Sequence, residues 1–136
     1  MELFATYCSA DKEATPGNLP ATERYLSERI SGVYANATSS GNRFAILSGR
    51  FGLMDPDTPI PNYDHLLQIN EIGPMTQRVA ETLKAWEITT IRWFTVAFEM
   101  DPNVSRYHDV MSQAAAEIGV DFEFELWEPT GMLGLI

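Results

Sequence analysis

Phe44 to Leu47 form an uninterrupted apolar run that stops abruptly at Ser48 and Gly49. A short apolar run with this ending is typical of a strand that helices cover on both faces. The segment that follows, as far as Asp64, is rich in glycine, proline and polar residues and is too long for a simple connection. Long ordered loops in compact domains are usually functional, so the sequence predicts a site beside the end of this strand.

Strand and helix patterns alternate along the rest of the chain. We expect strands at 2–7, 43–47, 91–98 and 120–127, and helices at about 20–37, 74–86 and 104–118. This alternation predicts an α/β fold, a three-layer sandwich with a mostly parallel sheet of about four strands and helices on both faces. The last strand alternates apolar and acidic residues, which places it at a sheet edge. We expect one domain spanning residues 1–136.

Composition restricts the partners of this domain. The net charge of −10 argues against binding of extended duplex DNA, which needs a broad basic surface. A single cysteine, the absence of an apolar run long enough to cross a membrane and the lack of a secretory signal pattern predict a cytoplasmic protein. The two histidines, His65 and His108, lack metal-ligand spacing, so no metal and no cofactor is predicted. We expect Tyr107 and His108 on a partly exposed helix face.

Polar side chains follow three of the predicted strands. Ligands of open parallel sheets bind outside the carboxyl ends of the strands, so these polar segments are expected to meet at one edge. The ligand-binding residues that we expect there are Cys8, Ser9, Lys12, Ser48, Gly49, Arg50, Phe51, Gly52 and Tyr63. Asp64 and Glu99 are the candidate catalytic carboxylates.

Each candidate role has an ordinary structural alternative. Ser9 and Lys12 could hold an anion or simply cap a turn. Cys8 could act as a nucleophile, although a cysteine at a strand end is more often a small buried hydrophobe. Tyr63 could stack on a base, and pinning of the loop explains it equally well. Arg50 could pair with phosphate or carboxylate, or lie on the surface.

The central motif also carries a family resemblance. The run Ile46-Leu47-Ser48-Gly49-Arg50-Phe51-Gly52-Leu53-Met54-Asp55-Pro56, followed by Ile60-Pro61-Asn62-Tyr63-Asp64, resembles the signature of bacterial peroxide-stress proteins. It is still more similar to short bacterial and phage domains of unknown function that are related to them, which also have a Cys- or Ser-containing turn with a lysine after the first strand. The resemblance implies an α/β fold related to nucleic-acid-modifying or glycosylase-like folds. Phe51 stands where the family usually has tyrosine.

Three functional hypotheses follow. The first is a nucleotide- or nucleoside-binding cleft at the strand ends, where any catalysis would be glycosidase- or transferase-like chemistry at an N-glycosidic bond with Asp64 or Glu99 orienting water. The second is a non-enzymatic acidic interaction or regulatory protein, for which the apolar tail at 131–136 offers a homodimer contact. The third, implied by the resemblance, is a DNA-binding oxidative-stress protein.

Overall fold

The computed structural model describes residues 1–128 and contains one main sheet of five strands. Four of its strands run parallel and the fifth is antiparallel. In chain order, the strands are β1 (Glu2–Tyr7), β2 (Leu19–Pro20), β3 (Arg43–Ser48), β4 (Gly52–Met54), β5 (Pro59–Ile60), β6 (Thr90–Thr95) and β7 (Asp121–Leu126). The order in the main sheet is β4-β3-β1-β6-β7, while β2 and β5 form a separate two-stranded sheet.

Helices cover both faces of the main sheet. They are α1 (Ala21–Arg24), α2 (Glu28–Ser39), α3 (Ile72–Ala85) and α4 (Val104–Ile118), and a short 3-10 turn at Ile69–Glu71 precedes α3. Successive strand residues point to opposite faces. Leu3 and Ala5 of β1 therefore join the core beneath α3 and α4, whereas Phe4 joins the core beneath α2. The predicted three-layer α/β sandwich is confirmed.

The edge position predicted for the last strand is also confirmed. β7 pairs only with β6 within the described residues, and Phe124 and Leu126 are more than half exposed. The aromatic residues Trp93 and Phe94 of β6 are buried, as expected of a central strand. Among the described residues, no helix is long and apolar enough to cross a membrane. The apolar tail at 131–136 lies outside the described residues.

Three predicted elements differ from the observed ones. The helix expected at about 20–37 is broken into α1 and α2, because Tyr25 takes an extended conformation and bridges to Lys12. Ser27 then caps α2, since its side chain accepts a hydrogen bond from the Ile30 N–H at 3.2 Å. The third predicted strand ends at Thr95 instead of Phe98. Part of the segment expected as loop is β4, which folds back on β3 and pairs Leu53 with Leu47.

Candidate functional site

Two cavities lie at the carboxyl edge of the main sheet. This edge gathers the segments that follow β3, β1 and β6, because these three parallel strands are neighbours. The cavity beside the end of β1, called here the β1 cleft, has a volume of about 290 Å³ and is lined by residues that include Cys8, Lys12 and Arg29. The cavity beside the end of β3, called the β3 cleft, has a volume of about 580 Å³ and includes Gly49, Arg50 and Arg78. Asp64 and His65 line both cavities.

The end of β1 forms one wall of the β1 cleft. The Cys8 N–H donates to the Leu47 carbonyl at 3.0 Å, so the sheet pairing extends one residue beyond the strand. The Cys8 thiol is partly exposed and lies 3.8 Å from the Tyr107 hydroxyl. Tyr107 in turn accepts a hydrogen bond from the Leu67 N–H at 3.0 Å. The thiol therefore faces the cleft between a strand end and an ordered tyrosine.

Tyr107 is buried with 3% exposure, so the expectation of partial exposure on that helix face is wrong for this residue. Its ring packs on Tyr7, with the ring centroids 6.0 Å apart, and its hydroxyl is held by Leu67. Burial is the main cause that raises the pKa of Tyr107 above its ordinary value, so the hydroxyl stays protonated and neutral near pH 7. His108, the next residue, is partly buried against Phe122 and Phe124.

Gly49 allows two parts of the chain to approach closely. A Cβ at this position would lie 2.9 Å from the Leu67 nitrogen, 2.9 Å from the Tyr107 hydroxyl oxygen and 3.2 Å from the His65 carbonyl oxygen. The glycine therefore lets the turn after β3 pack directly on the 65–67 segment. This contact fixes the position of the 65–67 segment, called here the ridge, which lies between the two clefts.

Ser48 and Tyr63 belong to a buried hydroxyl network. The Ser48 hydroxyl accepts bonds from the N–H groups of Arg50 and Phe51, at 3.1 and 3.0 Å, and lies 2.8 Å from the Tyr63 hydroxyl. The Tyr63 hydroxyl also bonds the Tyr25 hydroxyl. Burial raises the pKa of Tyr63 to about 12. These bonds pin the loop to the sheet, which is the structural alternative that the sequence left open for Tyr63.

Lys12 covers the Tyr63 ring from the side of the β1 cleft. Its ammonium nitrogen lies 4.6 Å from the Tyr63 ring centroid and 5.8 Å from that of Tyr25, within the range of a cation–π contact. Ser9 donates its hydroxyl to the Asp11 carbonyl at 2.7 Å and so closes the turn that presents Lys12. The lysine thus reaches the cleft on an ordered turn.

The structure brings together some of the predicted site residues and separates others. Cys8, Ser9, Lys12 and Asp64 line the β1 cleft, whereas Gly49 and Arg50 line the β3 cleft with Asp64. Asp64 is exposed and stands where the two cavities meet. The remaining predicted residues, which line neither cavity, are Ser48, Phe51, Gly52, Tyr63 and Glu99. Glu99 is exposed on the loop after β6.

Sequence reasoning missed several residues of the site. Arg29 is on α2 and buried at 8% exposure, yet it lines the β1 cleft together with Asn103. His65 was also missed, and its Nε2 lies 2.9 Å from a Glu71 carboxylate oxygen. The hydrogen bond from the Gln68 N–H lowers the pKa of Glu71 below its usual range, and the contact with His65 lowers it further. The one signal in the sequence for Arg29 is its place beside Ile30 on the helix face that turns toward the sheet.

The site offers hydrogen-bond donors and acceptors of several kinds. Within residues 1–128, no group of three or more His, Cys, Asp or Glu side chains is placed to hold a metal ion. The β1 cleft instead combines an ammonium, a guanidinium, a thiol, carboxylates and an amide. Such a set of groups suits a small polar ligand with hydrogen-bonding edges.

Comparisons of this chain with protein-family models, with curated proteins and with solved structures found no match. The similarity of the central motif to the peroxide-stress proteins and to the related short domains therefore stays a hypothesis from sequence.

Proposed function

We propose that this protein binds a nucleoside or nucleotide in the β1 cleft, at the carboxyl edge of its parallel sheet. The observation that carries the proposal is the cleft itself, a cavity of about 290 Å³ that combines cationic, acidic and amide side chains at the end of the central strand. This volume lies close to the lower end of the range for small-molecule sites, about 300 Å³, and suits a nucleoside-sized ligand. The position matches the general rule for ligands of open α/β sheets.

Particular residues favour this ligand class. Asp64 and Asn103 supply a carboxylate and an amide, which are able to pair with the donor and acceptor edge of a base or with ribose hydroxyls. Tyr63 is held away from the open cavity by its bonds to Ser48 and Tyr25, so the proposal does not need it to stack on a base. Of the two carboxylates predicted to act on an N-glycosidic bond, Asp64 lines the cavity, together with Asp101, whereas Glu99 lies outside it.

Thermal denaturation in the presence of bases, nucleosides and nucleotides tests the proposal. A ligand present at about 100 times its Kd adds about 2.7 kcal/mol to the free energy of unfolding. For a domain of this size that is a rise in Tm of roughly 8 °C. Lys12→Ala and Asp64→Asn should each reduce the rise. The matched control Asp57→Asn changes an exposed aspartate outside both cavities and should keep it.

Two results would remove the proposal. One is the absence of any shift with the whole panel of bases, nucleosides and nucleotides. The other is a full shift in both Lys12→Ala and Asp64→Asn, which would place the ligand elsewhere on the protein.

A further inference from the structure

Two buried arginines of this protein are bound to carbonyl oxygens instead of carboxylates. Arg24 is fully buried and donates to the carbonyls of Glu13 and Thr15, the latter at 2.9 Å. Arg29 donates to the carbonyls of Tyr7 at 2.6 Å and Cys8 at 3.1 Å. Ion pairs among residues 1–128 involve neither arginine. Both therefore keep a positive charge that no side-chain anion of the described chain neutralises.

The two arginines differ in what surrounds them. Arg24 lines neither cleft, and its bonds hold the loop at 13–17 in place, so a structural role accounts for it. Arg29 lines the β1 cleft, where its guanidinium carbon lies over the Tyr7 ring, 3.5 Å from the ring centroid. Its three bonds, which include one to the Thr6 hydroxyl, do not exhaust the donors of a guanidinium fork.

A buried charge without a counter-ion is costly, and an anion that enters the cleft would relieve that cost. Burial lowers the pKa of Arg29 from its ordinary value, and that value is so high that the side chain stays charged near neutral pH. The acidic residues of the same cleft, Asp64 and Asp101, are both exposed, so water screens their charge more strongly than that of Arg29. Lys12 adds a second cation to the lining.

We infer that the β1 cleft takes a nucleoside monophosphate, with the phosphate seated against Arg29 and Lys12 and the nucleoside reaching toward Asp64. The inference rests on the proposed nucleoside or nucleotide site and narrows it to an anionic ligand. Arginine suits this role because its planar fork matches the geometry of phosphate oxygens. The β3 cleft, which shares Asp64 and His65 with the β1 cleft, adjoins the end where the base would lie.

Isothermal titration calorimetry of the full chain tests the inference. The probes are the four common ribonucleosides, their 5′-monophosphates and inorganic phosphate alone. For at least one base, the monophosphate should bind about 10- to 100-fold more tightly than its nucleoside, the range that one charge-assisted hydrogen bond supplies. Inorganic phosphate should compete with that monophosphate.

Substitutions of Lys12 and Arg29 test whether these two residues cause the preference for the monophosphate. Lys12→Met should weaken monophosphate binding more than nucleoside binding, so that the preference for the monophosphate falls several-fold. Arg29→Gln should remove most of the preference for the monophosphate, and Arg29→Lys should restore part of it. The Arg29 variants also lose bonds to β1, so their folding is checked by urea denaturation. If Arg29→Gln does not fold, the wild-type preference and Lys12→Met decide the question.

The possible results separate the two proposals. Equal affinities for a nucleoside and its monophosphate, or a preference that survives Lys12→Met unchanged, would overturn the anion site and leave nucleoside binding intact. Failure of every nucleoside and every monophosphate to bind would remove the proposed function and this inference with it.

Discussion

Substitution of Gly49 by alanine should destabilise the fold at the ridge between the two clefts. The added Cβ would lie 2.9 Å from both the Leu67 backbone nitrogen and the Tyr107 hydroxyl oxygen, closer than Cβ atoms are found in proteins. One of these neighbours is backbone and the other is a buried ring, so neither can move cheaply. Overpacking of this kind costs about 1–3 kcal/mol.

The same substitution should also disturb a hydrogen bond. The Leu67 N–H donates to the Tyr107 hydroxyl at 3.0 Å, and the new methyl group would push these two groups apart. Loss of a buried hydrogen bond adds about 1 kcal/mol. The total of about 2–4 kcal/mol corresponds to a fall in Tm of roughly 6–12 °C.

Urea denaturation followed by circular dichroism measures this change, with Gly73→Ala as the matched control. Gly73 lies in the first turn of α3, and a Cβ there would meet no atom within 4 Å. This control should change the free energy of unfolding by less than about 1 kcal/mol, because the better helix propensity of alanine is opposed by Pro74, whose ring disfavours helical backbone at a preceding residue that carries a Cβ. A Gly49→Ala protein as stable as the wild type would refute the close packing of this ridge.

Two further predictions concern side chains outside the ridge. Tyr63→Phe should lower the free energy of unfolding by about 1–3 kcal/mol, because it leaves the buried hydroxyls of Tyr25 and Ser48 without their shared partner. Urea denaturation measures this change, and an unchanged midpoint would contradict the hydroxyl network. Burial lowers the pKa of His108, although Asp109 opposes this effect. Below about pH 6.5 the unfolded chain therefore binds a proton more readily than the folded chain does, and the free energy of unfolding decreases as the pH decreases. His108→Gln should make stability less dependent on pH below about pH 6.5, and an identical profile in the variant would show that another group causes the loss.

The sequence was sufficient for the fold class because the signals that determine it are local. The apolar run at Phe44 to Leu47 and the alternating pattern of β7 each reveal their place in a sheet through neighbouring residues alone. The rule that ligands bind beyond the carboxyl ends of parallel strands then brought Cys8 and Lys12 to the same edge as the segment after β3, and the structure places both on the β1 cleft, together with Asp64.

The missed features depend on contacts between distant parts of the chain. The break between α1 and α2 follows from the bridge between Lys12 and Tyr25, which no helical periodicity reveals. In the sequence, little distinguishes Arg29 from an ordinary helix residue. Its contacts with the carbonyl groups at the end of β1 form only in the folded chain. β4 was missed because its three residues are too short to show a strand pattern and need β3 as a partner.

A crystal structure of the full chain soaked with a tightly binding nucleoside 5′-monophosphate tests the central claim most directly. The account predicts density in the β1 cleft, with phosphate oxygens within hydrogen-bonding distance of Arg29 and Lys12 and the nucleoside directed toward Asp64. A ligand bound at full occupancy elsewhere on the protein, with the β1 cleft free of it, would contradict the claim.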